Sequence, residues 1–158
     1  MGEFASAVQH HLHEQLAASY PEFNWKTEHN IAGTPVDVAG LDDETLILIE
    51  LEWRRADPAD NSAKLFRHLS TGTIEASEVV VFHVFTGYYD LTRGGVSSKR
   101  KNAEFVGHVA SGAIDYLSYY PVDFDFEPPK RGEEWPDSWQ IAGDAVVNEI
   151  QNQFETHR

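Results

Sequence analysis

The sequence feature that most constrains the fold is a strongly apolar run near the middle of the chain, TLILIELEWRR at residues 45–55. From Leu46 to Leu51 every residue but one is aliphatic and none is proline or glycine, which is the pattern of a β-strand covered on both faces. Glu50 and Glu52 stand two positions apart, so a strand directs both carboxylates to the same side. Because ionised groups in so apolar a strand are costly alone, the pair predicts a partner, and a bound cation is one such partner.

A third carboxylate lies just upstream. Asp37 belongs to a shorter β-like run, Thr34–Leu41, which is separated from the apolar run by the turn-prone residues 40–43. This arrangement predicts a hairpin that brings Asp37 beside Glu50. Three carboxylates that converge from neighbouring strands form an oxygen-rich site for a hard divalent ion such as magnesium.

Asp37, the Glu50-x-Glu52 pair at a strand end and a following helix that carries Lys64 together resemble the motif of the PD-(D/E)xK nuclease superfamily. The last motif residue in the usual pattern is a lysine, and Glu52 stands in its place here. Some restriction endonucleases of that fold carry Glu-x-Glu at this point. The resemblance covers about residues 25–87, and it implies a restriction-endonuclease-like fold.

The resemblance also implies roles for these residues. Asp37, Glu50 and Glu52 would hold magnesium, with manganese as a substitute, to activate a water and to screen the phosphate. Glu52 would otherwise act as a general base that orients the attacking water. Lys64 would take over from the missing motif lysine and stabilise the charged phosphate.

Nucleases of this superfamily often carry an acidic residue on the first helix, near the metal. Glu14 lies on an amphipathic helix predicted from Glu3 to Ser19 and is the candidate for this role. An ordinary exposed glutamate is the alternative interpretation of Glu14. Glu28, in the strand that follows, is a rival for the same role.

The formal net charge of −14 is unfavourable for an enzyme that acts on nucleic acid, since affinity for phosphates comes largely from lysine and arginine. Either the protein does not bind nucleic acid, or its acidic surface suits a salty, halophilic cytoplasm. Eight of the twelve basic residues fall between Arg54 and Lys101, which is consistent with a local basic patch. The predicted nucleic-acid contacts are Arg54, Arg55, Arg67, Lys99, Arg100 and Lys101, with a solvated basic surface as the alternative.

Composition places the chain among soluble proteins. Its 158 residues fit one domain, 1–158, with a sizeable core, and the absence of cysteine excludes disulfides and thiolate metal sites. No apolar run approaches the ~20 residues that span a bilayer, and the first residues lack a signal-peptide pattern. We therefore expect a cytoplasmic location and no membrane partner.

The order of periodic segments predicts an α/β fold, a three-layer sandwich around a mixed sheet of about five strands. A parallel crossover is expected between the apolar run and a second one, residues 78–87, in which His83 is interpreted as a hydrogen-bonded core residue. A helix is predicted over residues 98–117 with Phe105, Val109, Ala113 and Leu117 on its core face. An edge strand over residues 122–126 and a helix capped at Asp137 or Ser138 complete the prediction.

The leading functional hypothesis is a magnesium-dependent nuclease that hydrolyses phosphodiester bonds, with DNA favoured over RNA and endonuclease over exonuclease action. Many nucleases of this fold act as dimers, so a homodimer is a further expectation. One alternative is a catalytically inactive domain of the same fold that serves interaction or assembly. Another is a structural ion site without chemistry.

Overall fold

Within residues 2–71 and 74–158, which the computed structural model describes, four helices and five strands follow one another in the predicted order. The helices are α1 (Glu3–Ser19), α2 (Pro58–Ser70), α3 (Ser98–Ala113) and α4 (Trp139–His157). The strands are β1 (Asn24–Ile31), β2 (Thr34–Leu41), β3 (Thr45–Glu52), β4 (Glu78–Thr86) and β5 (Leu117–Phe124).

The strands form a mixed sheet in the order β1-β2-β3-β4-β5. The first three strands are an antiparallel meander joined by short turns, whereas β3, β4 and β5 run parallel. Parallel neighbours need long crossovers, and α2 and α3 supply them. The predicted hairpin of β2 and β3 and the predicted parallel crossover from β3 to β4 are both confirmed.

Helices cover both faces of the sheet. One apolar cluster joins Ile47 and Ile49 of β3 to helices α1 and α4, and a second joins Leu46 and Leu48 to α2 and α3. Alternate residues of β3 therefore face opposite helix layers, which explains why its sequence is apolar almost throughout. The predicted three-layer α/β sandwich around a mixed sheet of five strands is confirmed.

Helices α1 and α4 bury the stripes that their periodicity predicts. Phe4, Val8, Leu12 and Leu16 of α1 are buried, as are Gly143, Val146, Val147, Ile150 and Phe154 of α4. Neither these helices nor any other in the described part of the chain is long and apolar enough to cross a membrane.

Helix α3 differs from its prediction in length and in orientation. It ends at Ala113, and Leu117 begins β5 rather than ending the helix. Phe105 and Val109 are 68% and 53% exposed, because the face that packs on the sheet carries Arg100, Ala103 and Gly107 instead. A Cβ atom at Gly107 would overlap the ring of Tyr119, so the glycine permits a close approach that fixes the helix in this orientation.

Candidate active site

The predicted carboxylates meet where β2 separates from β3. The two strands pair from Leu41 and Leu46 as far as Val38 and Ile49, after which β2 continues to pair only with β1. The side-chain Oδ2 of Asp37 then accepts a hydrogen bond from the backbone N–H of Leu51 at 2.8 Å. The Asp37 carboxylate thus takes the place of a backbone carbonyl as the hydrogen-bond acceptor, at the first position where the regular pairing of β2 with β3 stops.

The separation also breaks the alternation of β2. Val36 packs in the cluster beneath α2 and α3, and Val38 packs in the cluster beneath α1 and α4, although the two residues are two positions apart. A regular strand would direct both valines to one face. The irregular backbone at Asp37 therefore turns its carboxyl group towards β3.

Asp37 and Glu50 form a carboxyl pair, close enough for a hydrogen bond between the two side chains. Burial raises the pKa of Asp37 to about 6, against the lowering effect of the Leu51 N–H, and the charges of Glu28 and Glu52 add to the rise. Burial, followed by the charge of Asp37, raises the pKa of Glu50 well above its ordinary value. The pair consequently retains a proton to a higher pH than two isolated carboxyl groups would.

Glu52 is only 2% exposed but has different partners. Its Oε1 accepts a hydrogen bond from Nδ2 of Asn61 at 3.0 Å and lies 3.0 Å from Nε2 of His83. The guanidinium Nε of Arg55 lies 3.9 Å from its other oxygen. Because a carboxylate only accepts hydrogen bonds, Nε2 of His83 carries a proton and donates it.

His83 is held in turn by Tyr119, whose hydroxyl lies 2.7 Å from Nδ1. Burial raises the pKa of the Tyr119 hydroxyl, so it remains protonated and donates to Nδ1 of the neutral imidazole. The hydrogen-bonded core histidine that the sequence predicts is confirmed, since His83 is 3% exposed. Its partnership with Glu52 was not predicted, because the two residues are 31 positions apart.

Among residues 2–71 and 74–158, no three His, Asp or Glu side chains are arranged to hold a metal ion together. The predicted trio consists of the Asp37–Glu50 pair and a separate Glu52 bound to Asn61 and His83. The pair nevertheless fits a divalent ion, because its hard oxygen donors suit magnesium and a cation would offset the cost of burial and the neighbouring negative charges that raise the two pKa values.

Helix α1 contributes Gln9 to this region. Gln9 is 6% exposed, and its Nε2 donates hydrogen bonds to the backbone carbonyl of Asp37 at 2.7 Å and to Oε1 of Glu28 at 3.2 Å. Glu14 lies on the exposed side of the helix and pairs with His10. Of the two acids considered for the first-helix role, the structure therefore brings Glu28 towards Asp37 and leaves Glu14 at the surface.

Glu28 lies at an irregularity of its own. The regular pairs of β1 and β2 on either side of it join Thr27 to Val38 and His29 to Val36, so Glu28 stands opposite Asp37 without a regular pair. Its φ of 52° is in the left-handed region that non-glycine residues rarely adopt. Both strands are thus distorted at the point where their acidic side chains face each other.

The predicted cations close to the carboxylates are at the surface. Arg54 and Arg55 follow β3 directly and are exposed, and Arg55 is the one that approaches Glu52. On α2, Asn61 reaches Glu52, whereas Lys64 and Arg67 are exposed. Helix α2 begins at Pro58, where Asp57 caps it by accepting a hydrogen bond from the N–H of Asp60.

The basic run at the start of α3 divides into two environments. Lys99 and Lys101 are exposed, and Nζ of Lys99 donates to the hydroxyl of Tyr88 at 3.2 Å. Arg100 is 6% exposed and binds Asp123 at 2.6 Å and Glu104 at 3.3 Å. The prediction that Arg100 contacts nucleic acid is therefore corrected, since its guanidinium is committed to partners within the protein.

Comparison with known proteins gives little beyond this geometry. No family model and no curated protein matches the chain. Among solved structures, the chain is similar to a repair endonuclease from Pyrococcus abyssi, with 21% sequence identity and a TM-score of 0.37. The match covers 73% of this chain and 46% of that enzyme, so the chain spans less than half the length of the structure that it matches. The function of this chain is accordingly argued from its own residues.

Proposed function

We propose that the protein is a metal-dependent nuclease that hydrolyses phosphodiester bonds, acting on DNA in preference to RNA and within strands rather than from their ends. The observation that carries this proposal is the buried Asp37–Glu50 pair at the separation of two strands. Two acids held together with raised pKa values are what we expect of a site in which a bound cation supplies the compensating positive charge.

Asp37 and Glu50 would hold magnesium or manganese, and the metal would supply Lewis-acid stabilisation of the phosphate and an activated water. One oxygen of Asp37 is already fixed by the N–H of Leu51, so its carboxyl group is oriented before any ligand arrives. Gln9 fixes the backbone of the same residue through its carbonyl. Both contacts reduce the reorganisation that binding would require.

Glu52 would orient the attacking water and accept its proton. Asn61 and His83 both direct donors at Oε1, which leaves Oε2 towards Arg55 at the exposed side. These donors stabilise the ionised carboxylate and limit its rotation. Arg55 and Lys64 are the cations proposed to face the phosphate, and Arg54 and Arg67 would hold the backbone further along.

The second candidate is a domain of the same fold that serves interaction or assembly without catalysis. The observation that favours it is the position of Glu52, because hydrogen bonds to two buried donors give this carboxylate a structural role. In that case Glu52 remains with Asn61 and His83 under all conditions. Divalent ions would then bind weakly, or bind without cleavage.

The test is cleavage of supercoiled plasmid by the purified protein in magnesium or manganese, combined with calorimetry of ion binding. We expect Glu50→Gln to reduce cleavage at least about 100-fold and to weaken ion binding, because the pair loses a charge while its volume is retained. The matched control is Glu44→Gln in the turn before β3, where the carboxylate is exposed.

Three results would decide between the candidates. Unchanged cleavage by Glu50→Gln would contradict the proposed site. A wild-type protein that binds no divalent ion and leaves DNA and RNA intact across a salt series would favour the assembly domain. Ion binding that raises the melting temperature without any cleavage would indicate a structural ion site.

A further inference from the structure

A groove of about 960 Å³ lies beside the end of β3, away from the carboxylates. Its walls are the first residues of α1, the segment after β5 and two residues that directly follow Glu52 in the chain. The lining side chains that matter here are Trp53, Arg54, Lys130, Arg131 and Trp135. Asp37, Glu50 and Glu52 do not line it, so the groove is separate from the proposed active site, although Arg54 is only two residues beyond Glu52 in the chain.

The groove contains an indole ring that is open to solvent. Trp135 is 41% exposed, yet its ring centroid lies 5.1 Å from that of Phe4 and 6.2 Å from that of Trp139. These contacts hold the ring in one place while much of its surface stays in water. A partly exposed indole that is held in place offers a surface on which a flat ligand can stack.

Positive charge is concentrated around the same groove. Arg54, Lys130 and Arg131 line it, although the whole chain has only 12 lysines and arginines against a net charge of −14. Glu3 and Glu133 line it as well, and Glu133 accepts a hydrogen bond from the backbone N–H of Lys130 at 3.2 Å. The three cationic side chains therefore outnumber the two carboxylates within this acidic protein.

Arg54 also connects the groove to a cation that the sequence analysis singled out. Its guanidinium lies 5.4 Å from the centre of the Tyr88 ring, and Nζ of Lys99 lies 5.2 Å from the same ring. Lys99, Tyr88 and Arg54 form a continuous surface that ends in the groove. A charged polymer that follows these side chains passes from the start of α3 to Trp135.

We propose that the groove binds an unpaired nucleotide of the substrate, with its base stacked on Trp135 and its phosphates held by Arg54, Lys130 and Arg131. An indole face stacks on any base, but only on one that has left its duplex, so the groove selects a single-stranded segment. The cations alone would also suit an acidic peptide, but such a peptide would leave the exposed indole without a stacking partner. This inference rests on the proposed nuclease function and specifies the substrate that the nuclease takes.

Binding can be measured without cleavage. The probe is a fluorescently labelled oligothymidine of about ten nucleotides, within the length range that single-strand sites cover, titrated with full-length protein in EDTA. We expect tighter binding of this probe than of a blunt duplex with the same number of phosphates. Trp135→Ala should weaken binding of the probe roughly 5- to 150-fold, the range for loss of one stacked base.

Charge reversal supplies the second variant. Lys130→Glu combined with Arg131→Glu should weaken binding and flatten its dependence on salt, since fewer counterions are released. Ile141→Ala and Lys26→Glu are the matched controls, because they change an exposed apolar residue and an exposed cation outside the groove. Both controls should bind the probe as the wild type does.

The result that would overturn the proposal is equal affinity of wild type and Trp135→Ala for the oligothymidine, or no preference for single strands. Displacement of the probe by an acidic peptide as efficiently as by unlabelled oligonucleotide would instead assign the groove to a protein partner. The binding assay in EDTA does not depend on cleavage. Failure of the nuclease hypothesis would therefore be seen in the cleavage assay, and failure of the groove hypothesis in the binding assay.

Discussion

Two carboxylates of strand β3 illustrate how partners rather than burial determine what an acidic side chain does. Glu50 and Glu52 lie two residues apart on one face of the sheet, and both are buried, at 9% and 2% exposure. Glu50 faces another acid, Asp37, and its pKa is raised first by burial and then by the charge of Asp37. Glu52 faces the donors of Asn61 and His83.

The contrast has an energetic consequence. The Asp37–Glu50 pair costs stability whenever both groups are ionised, whereas Glu52 stabilises the fold as the hydrogen-bond acceptor for Asn61 and His83. Natural proteins retain such unfavourable pairs chiefly where a ligand compensates for them. Removing the two kinds of carboxylate should therefore change the free energy of unfolding in opposite directions.

The largest effect is expected from Glu52→Ala. The substitution leaves Asn61 and His83 with buried donors that lack an acceptor and opens a cavity beside them, so we expect the free energy of unfolding to fall by about 3 to 5 kcal/mol. Chemical denaturation at pH 7 measures it. Glu50→Gln in the same experiment should leave the protein as stable as wild type or more so. A loss in Glu50→Gln as large as that in Glu52→Ala would remove the distinction between the two residues.

The next effect concerns pH and the pair itself. The pKa of Asp37 is about 6 in the folded protein against 3.8 for an ordinary aspartate, so the folded state binds the proton more tightly than the unfolded chain. Stability from this proton is present in full below pH 3.8 and is lost as the pH rises through 6. In the absence of divalent ions, we expect the contribution to decline by about 3 kcal/mol between these limits, with Glu50 extending the decline to higher pH.

Asp37→Asn tests this assignment. The asparagine oxygen can still accept the hydrogen bond from the N–H of Leu51, but it no longer titrates. Denaturation between pH 4 and pH 8, in EDTA, should show a flatter profile for Asp37→Asn than for wild type, with the variant more stable at pH 8. If the two profiles are parallel, the pH dependence arises elsewhere in the protein.

Features of the site that depend on residues close in sequence could be predicted, and those that depend on residues distant in sequence could not. Periodicity predicted α1 and β2 with their observed bounds, and the short turn between β2 and β3 brought Asp37 towards Glu50. Whether Glu50 and Glu52 have the same partners depends on Asn61 and His83, which arrive from α2 and β4. Nothing in the pattern of β3 distinguishes the two glutamates.

Packing at a distance also explains the error in α3. Its apolar residues at four-residue spacing favour a core face through Phe105 and Val109, and both lie in solvent. The orientation of the helix follows instead from the overlap that any side chain at Gly107 would make with Tyr119 of the neighbouring strand. In the candidate site, Gln9 could have been noticed beside Val8 on the predicted inner face of α1, but its contact with Asp37 depends on the tertiary fold.

The smallest effect is expected at Tyr119, the last residue of the hydrogen-bonded series Glu52–His83–Tyr119. Tyr119→Phe removes the hydroxyl that donates to Nδ1 of His83 and retains the ring, so packing against Gly107 is preserved. We expect a loss of about 1 kcal/mol in the free energy of unfolding, and a roughly tenfold loss of cleavage because His83 no longer holds Glu52 in one orientation. Nitrogen chemical shifts of His83 would report the change of its hydrogen bonding directly.

Tyr120→Phe is the control for this last prediction, because it also removes a tyrosine hydroxyl that lies next to a histidine Nδ1. The hydroxyl of Tyr120 lies 2.9 Å from Nδ1 of His157, whose Nε2 pairs with Glu78 at the surface. Loss of the Tyr120 hydroxyl should lower the free energy of unfolding modestly and leave cleavage unchanged, since neither His157 nor Glu78 is a proposed site residue. Equal losses of cleavage in the two variants would mean that Tyr119 acts through general stability. A loss confined to Tyr119→Phe would indicate that the ordered chain behind Glu52 positions it for catalysis, in contrast to the strained pair beside it.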